Sequence, residues 1–170
     1  MRDRREMLIA GLVAGGGLVT AMTALPGAGR AEDARSPRSV AERFAATLTA
    51  HDMAAFAALF ADDYVNHQTS AAAPAPVGKS AKQATVAFFG ARLAAMADLT
   101  VTIEALVADA DRVAASFVYR GTQTGPYFGV PPTRKTLRFT SCDIFAVKDG
   151  RIVEHWGMGD IAGQIAQLRA

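Results

Sequence analysis

Proton transfer near neutral pH needs carboxylates and imidazoles, and the chain has sixteen acidic residues and three histidines to draw on. Asp160 follows Trp156 by four residues. A carboxylate kept from water in an apolar cavity beside that ring is a stronger base than one on the surface. The same aspartate stands where a last helix needs an N-cap, so capping is its plain alternative. Asn66 and His67 close an extended segment, where neighbours point to opposite sides and only one of the two can face a cavity. His67 is preferred; its neutral ring can donate to a carbonyl oxygen or orient Asp160, and a core or rim histidine with a satisfied ring is the alternative. Gln123 can donate to an oxyanion but cannot titrate. Trp156 reads either as a pocket wall or as plain core. Asp143 shares strand parity with Phe139 and Phe145, which admits a second buried carboxylate, although an edge or capping role is preferred. His51 and His155 read as surface residues. The lone Cys142 reads as a small buried hydrophobe and forms no intrachain disulfide.

Elements must position these groups. Ser39 with Glu42 forms a capping box and predicts a helix to about Thr49. Asp52 can cap a short second helix with Met53, Phe56, Ala57 and Phe60 on one face. An extended piece follows over residues 64–67, then an Ala/Pro loop over 70–78, where Pro74 and Pro76 break any helix. Ser80 with Gln83 caps a third helix, and Val86, Phe89, Leu93 and Met96 form its apolar stripe. The period then falls from 3.6 to two. Alternation runs through Leu99, Val101 and Ile103, through Val113, Ala115, Phe117 and Tyr119, and through Leu137, Phe139, Ser141, Asp143 and Phe145. Asp149-Gly150 makes a tight turn into a fourth strand over residues 152–158, and a short helix can close the chain after Asp160. The prediction is an α+β fold, in which a curved antiparallel sheet wraps around three N-terminal helices and leaves an internal pocket open at one end.

A length of 170 residues, with 51% hydrophobic and 20% charged, suits one globular domain. Residues 1–31 read as a cleavable export signal: Arg4-Arg5 lie in a charged start of twin-arginine type, residues 7–24 are apolar, and Gly29-Arg30-Ala31 offers a cleavage point. Residues 32–38 read as a linker and 39–170 as the domain. The protein is therefore expected to be exported, periplasmic or extracellular, with no membrane attachment once the signal is removed. Four of the eighteen basic and two of the sixteen acidic residues fall in that leader, which leaves the remainder balanced. A balanced domain gives no electrostatic footprint for nucleic acid. No Cys/His cluster has zinc spacing, and Gly121, Gly125 and Gly129 do not match a phosphate-binding loop, so neither a metal nor a cofactor is expected.

Three segments together resemble the SnoaL-like polyketide cyclases. They are His51-Asp52-Met53 through Asp62-Asp63-Tyr64-Val65-Asn66-His67, Gly121-Thr122-Gln123-Thr124-Gly125 through Pro131-Pro132-Thr133, and Asp149-Gly150-Arg151-Ile152-Val153-Glu154-His155-Trp156 with Asp160 beyond. The likeness covers roughly residues 39–168. It implies a nuclear-transport-factor-like cone fold, and activity of the kind that closes polyketide rings by intramolecular aldol condensation without a cofactor. It places Asp160 on the family's catalytic aspartate and His67 on a family histidine. Gln123 departs from the histidine usual in the Gly-Thr-His-x-Gly motif, which puts proton shuttling at that position in doubt.

The expectation is thus a cyclase-like enzyme for a small hydrophobic carbonyl-containing ligand, polyketide- or ester-like, in which Asp160 is the base. His67 and Gln123 would steady charge on oxygen, with Asn66 and Trp156 as further binding residues. The alternatives are an exported ligand-binding protein without chemistry, favoured by Gln123, or another cone-fold enzyme, an isomerase or epoxide hydrolase, for which Tyr64, Tyr119 and Asp143 are candidate groups. A homodimer is expected, on the ground that three short helices cannot cover Val101, Phe117 and Phe139.

Overall fold

The computed structural model describes residues 33–68, 70, 74 and 76–170. The expected export signal lies outside them.

Each helix starts at a side chain that satisfies its free amide groups. Helix α1, Pro37–Thr49, begins two residues before the expected Ser39: Ser36 is the cap, its hydroxyl accepting from the Ser39 amide, and Pro37 takes the first turn, where no N–H is needed. Its buried face is Val40, Ala41, Phe44, Ala45 and Leu48, spaced as one side of a helix requires. Helix α2, Met53–Ala58, is capped by Asp52, whose carboxylate accepts from the Ala55 amide at 2.9 Å. Strand β1 is Phe60–Asn66. Helix α3, Ala81–Ala95, carries the full Ser80/Gln83 capping box.

Four strands follow: β2 Thr100–Ala108, β3 Arg112–Thr122, β4 Thr136–Lys148 and β5 Arg151–Gly159. Helix α4, Ile161–Arg169, ends the chain. The sheet order is β1-β5-β4-β3-β2. All neighbours are antiparallel except β1 and β5, so the extended piece read at residues 64–67 belongs to a strand that makes the sheet mixed. The architecture is the predicted α+β one, a curled sheet packed on helices.

The sheet's inner face is set by strict alternation on β3 and β4, where Val113, Ala115, Phe117 and Tyr119 and then Leu137, Phe139, Ser141, Asp143 and Phe145 all point inward and are buried. Phe44 of α1 joins the layers, with its ring centroid 5.0–5.4 Å from those of Phe56, Phe89, Phe117 and Phe145. Val101, Phe117 and Phe139 are buried in this core, which removes the ground on which a homodimer was expected. The helices cover these residues because the sheet curls over them. Cys142, on the opposite parity of β4, is exposed rather than buried.

Candidate functional site

Between α3 and the inner face of β3–β5 lies a cavity of about 650 Å³, within the size range of sites for small organic ligands. Phe88, Phe89 and Arg92 of α3 form one wall. Tyr119, Ser141, Asp143 and His155 form the sheet side, and residues of the Ala/Pro loop reach the mouth.

The polar groups of the sheet side make one chain. His155 Nε2 meets Asp143 Oδ1 at 2.8 Å, with both side chains more than nine-tenths buried. Ser141 Oγ donates to the other carboxylate oxygen at 2.5 Å. On the far side of the ring, His155 Nδ1 lies 3.1 Å from Asn66 Oδ1, an oxygen that also accepts from the Gln68 amide at 3.0 Å. A polar contact this deep survives only where its remaining hydrogen-bonding capacity is met, and this one is held from both ends.

Backbone geometry explains why these residues converge. Val147 pairs with Ile152 and Ala146 with Glu154, so Val153 is an extra residue on β5, a bulge. It shifts the parity of everything after it. His155 therefore faces the cavity while Glu154 and Trp156 turn to the outer face, the reverse of simple alternation from Ile152. His155 stands opposite Phe145, and Asp143 stands opposite Gly157. The imidazole leans along the strand over Gly157 to reach the carboxylate. A Cβ on Gly157 would collide with both Asp143 Oδ1 and His155 Nε2, so the missing side chain is what lets the two groups meet.

Tyr119 sits deeper. Burial raises its phenol well above the ordinary tyrosine range; the charge of Asp143 pushes it further up, and that of Arg92 opposes. It remains a hydrogen-bond donor at any neutral or moderately alkaline pH. Burial likewise pushes Tyr64, beside Thr85, up to about 12, against the bond from the Thr85 hydroxyl.

The residues singled out in the sequence are placed differently. Asp160 is exposed at the start of α4, where its carboxylate accepts from the Gly163 amide at 2.7 Å; it acts as the cap and lies beside the cavity rather than in its wall. His67 turns away from the cavity because its neighbour Asn66 turns in. It bonds Glu154 at 2.8 Å and stacks on Trp156, with ring centroids 4.5 Å apart. Trp156 is accordingly an outer-face residue and no pocket wall. Gln123 is fully buried but clamps a loop: its amide nitrogen donates to the carbonyls of Gly125, Val130 and Pro131, and its oxygen accepts from the amide and hydroxyl of Thr133. Of the five, the structure brings only Asn66 to the cavity.

His155 and Arg92 were not legible as site residues. Asp143 carried a signal in its parity with Phe139 and Phe145, and Arg92 carried one as a lone cation within the apolar side of α3. Among the described residues no group of three or more His, Cys, Asp or Glu side chains is placed to hold a metal ion.

No curated protein matches the chain. Among solved structures, IdmH of Streptomyces antibioticus, a candidate polyketide cyclase, is 30% identical over 79% of this chain and 99% of its own, with a TM-score of 0.67. TsrD of Streptomyces laurentii is 24% identical over 77% of this chain and 92% of its own, with a TM-score of 0.66. AclR of Streptomyces galilaeus, a candidate hydroxylase, is 20% identical over 78% of this chain and 95% of its own, with a TM-score of 0.67. At these identities TsrD and AclR bear on the fold alone. A family model described as SnoaL-like polyketide cyclase matches residues 38–168, and the chain belongs to that family.

Proposed function

We propose that the protein is an acid/base enzyme acting on an apolar, carbonyl-containing ligand, with Asp143 rather than Asp160 as its base. The observation that carries this is the buried Asp143–His155 pair in the wall of a cavity large enough for such a ligand. In the reaction, Asp143 takes a proton from the carbon next to the ligand's carbonyl. The electron pair left behind moves onto the carbonyl oxygen, and the Tyr119 hydroxyl donates to that enolate. His155, hydrogen-bonded to the carboxylate, holds it in place. If a second carbonyl of the same molecule is folded against the enolate carbon, a carbon–carbon bond closes the ring, and the new alkoxide recovers the proton from Asp143. Family membership supports this cyclisation, and the apolar walls Phe88 and Phe89 support folding of a flexible ligand.

A second reading is favoured by one observation. Asp143 already receives two hydrogen bonds from the protein itself, as a polar cluster in a ligand-binding protein without chemistry would. The two readings part in a simple experiment. Hydrogen–deuterium exchange at the methyl group of 2-acetylnaphthalene, followed by NMR in heavy water, reports α-proton removal without requiring the natural substrate. An enzyme should accelerate it, and Asp143→Asn should lower that acceleration by about a hundredfold or more, the scale for losing a general base. Binding without exchange establishes the second reading; exchange equally fast in Asp143→Asn removes Asp143 from the mechanism.

A further inference from the structure

Arg92 stands in the cavity wall opposite the Asp143–His155 pair, and its side chain is almost wholly buried. Its Nε donates to the Tyr127 hydroxyl at 2.9 Å. That hydroxyl donates to Gln164 Oε1 at 3.0 Å, and the Gln164 amide donates to the Asp160 carbonyl at 3.0 Å. The guanidinium is packed among four rings, with centroids 4.8–5.0 Å away: Phe88, Phe89, Tyr119 and Phe139. These rings ease the burial of a cation but supply no counter-charge.

None of the ion pairs among the described residues includes Arg92. Its terminal nitrogens make no hydrogen bond there either, yet no occluded side-chain nitrogen lacks a partner. Those nitrogens are therefore open to the cavity. A desolvated guanidinium without a carboxylate is costly to keep, and a planar fork of free N–H groups matches a carboxylate in shape as well as charge.

We infer that Arg92 is the anchor for a carboxylate on the ligand, which makes the ligand an oxo acid with an apolar body between its acidic end and its reactive carbonyl. This rests on the reading of the cavity as a ligand site and adds the chemical class of the ligand. The placement is consistent end to end. Tyr119 lies between the two poles and feels both charges, so a ligand held by Arg92 brings its carbonyl past the Tyr119 hydroxyl towards Asp143. The remaining parts serve the anchor. Phe128 and Gly129 both adopt positive φ in a two-residue turn that presents Tyr127, and Gln123 clamps the loop that carries this turn. Asp160 caps the helix that carries Gln164.

The test compares 1-pyrenebutyrate with its neutral amide, 1-pyrenebutyramide, by fluorescence titration of the full chain. The wild type should bind the acid about ten- to a hundredfold more tightly than the amide, the range of a charged hydrogen-bonded contact. Arg92→Gln should bind both at the level of the amide, and Arg92→Lys should keep part of the preference. Equal binding of acid and amide by the wild type overturns the inference and leaves the cavity reading standing. Binding of neither overturns both. If Arg92→Gln does not fold, the wild-type ratio and Arg92→Lys decide.

Discussion

His155 reaches Asp143 across Gly157 rather than across a direct strand pair: the Nε2–Oδ1 distance is 2.8 Å, while the strand partner of His155 is Phe145. The contact depends on an absent side chain. Gly157→Ala would put a methyl group where the two side chains meet, and the pair must then separate or the strand must move. Either is overpacking in a tight interior, expected to lower stability by about 1–3 kcal/mol in urea denaturation. It should also abolish α-proton exchange. Unchanged stability and exchange would show that the diagonal contact does not matter.

Asp160 gives a complementary case. Asp160→Asn keeps an oxygen that can accept from the Gly163 amide and should leave stability nearly unaltered, whereas Asp160→Ala should cost about 1 kcal/mol, the usual scale for a lost N-cap. Neither should abolish exchange, because the carboxylate lies outside the cavity wall. Collapse of exchange in Asp160→Asn with stability intact would return the base to Asp160.

Gln123→Ala would strip partners from the loop backbone at Gly125, Val130, Pro131 and Thr133. Leaving such groups buried without partners should cost about 2–3 kcal/mol in thermal or urea denaturation. Preference for 1-pyrenebutyrate should weaken with it, since the loop presents Tyr127 to Arg92. A stability close to that of the wild type would contradict the clamp.

What could be read from the sequence divides along the range of the interactions. Ser80 with Gln83, and Asp52 before Met53, announce helix starts because a cap acts within three residues. The alternation through Phe117 and Tyr119, and through Phe139, Ser141, Asp143 and Phe145, names one face of the sheet because nothing interrupts it. Val153 does interrupt it. A bulge has no side-chain signature here, and counting by twos from Ile152 assigns Trp156 to the cavity and His155 to the surface, both reversed. Which of Asn66 and His67 faces inward is hidden likewise, since the register of β1 against β5 shifts between Phe60 and Val65. Gln123 depends on the backbone of a loop and Arg92 on Tyr127 of that same loop, and no local pattern encodes either partnership.

All three tyrosines of the chain are buried, and burial raises the phenol of each. A raised folded-state value means that the folded chain holds its phenol protons where the unfolded chain, near its ordinary value of about 10, loses them. The stability contribution is therefore complete below about pH 10 and is lost as pH rises beyond it. A spectrophotometric titration should show less phenolate at about pH 10 than three free tyrosines would give, and then a cooperative rise that coincides with loss of the far-ultraviolet circular dichroism signal. A gradual phenolate signal centred near 10 with the fold intact would contradict this burial.

The last prediction separates Tyr119 as an oxyanion donor from Tyr119 as core. Its ring stacks on Phe139 with centroids 4.9 Å apart and planes 4° from parallel, and it forms part of the aromatic surround of Arg92. Tyr119→Phe keeps that ring, so the packing survives and the stability change should stay within about 1 kcal/mol. The hydroxyl is lost, and with it the donor that would meet the enolate oxygen. Removal of one such donor slows acyl-transfer enzymes by about a hundred- to a thousandfold, and α-proton exchange on 2-acetylnaphthalene should fall on that scale. Affinity for 1-pyrenebutyramide should hold, because the neutral probe needs the cavity and not the hydroxyl. Asp143→Asn in the same background should add little, since base and donor act on one transition state and their effects do not add. Wild-type exchange in Tyr119→Phe would leave the phenol as core and require another donor for the enolate.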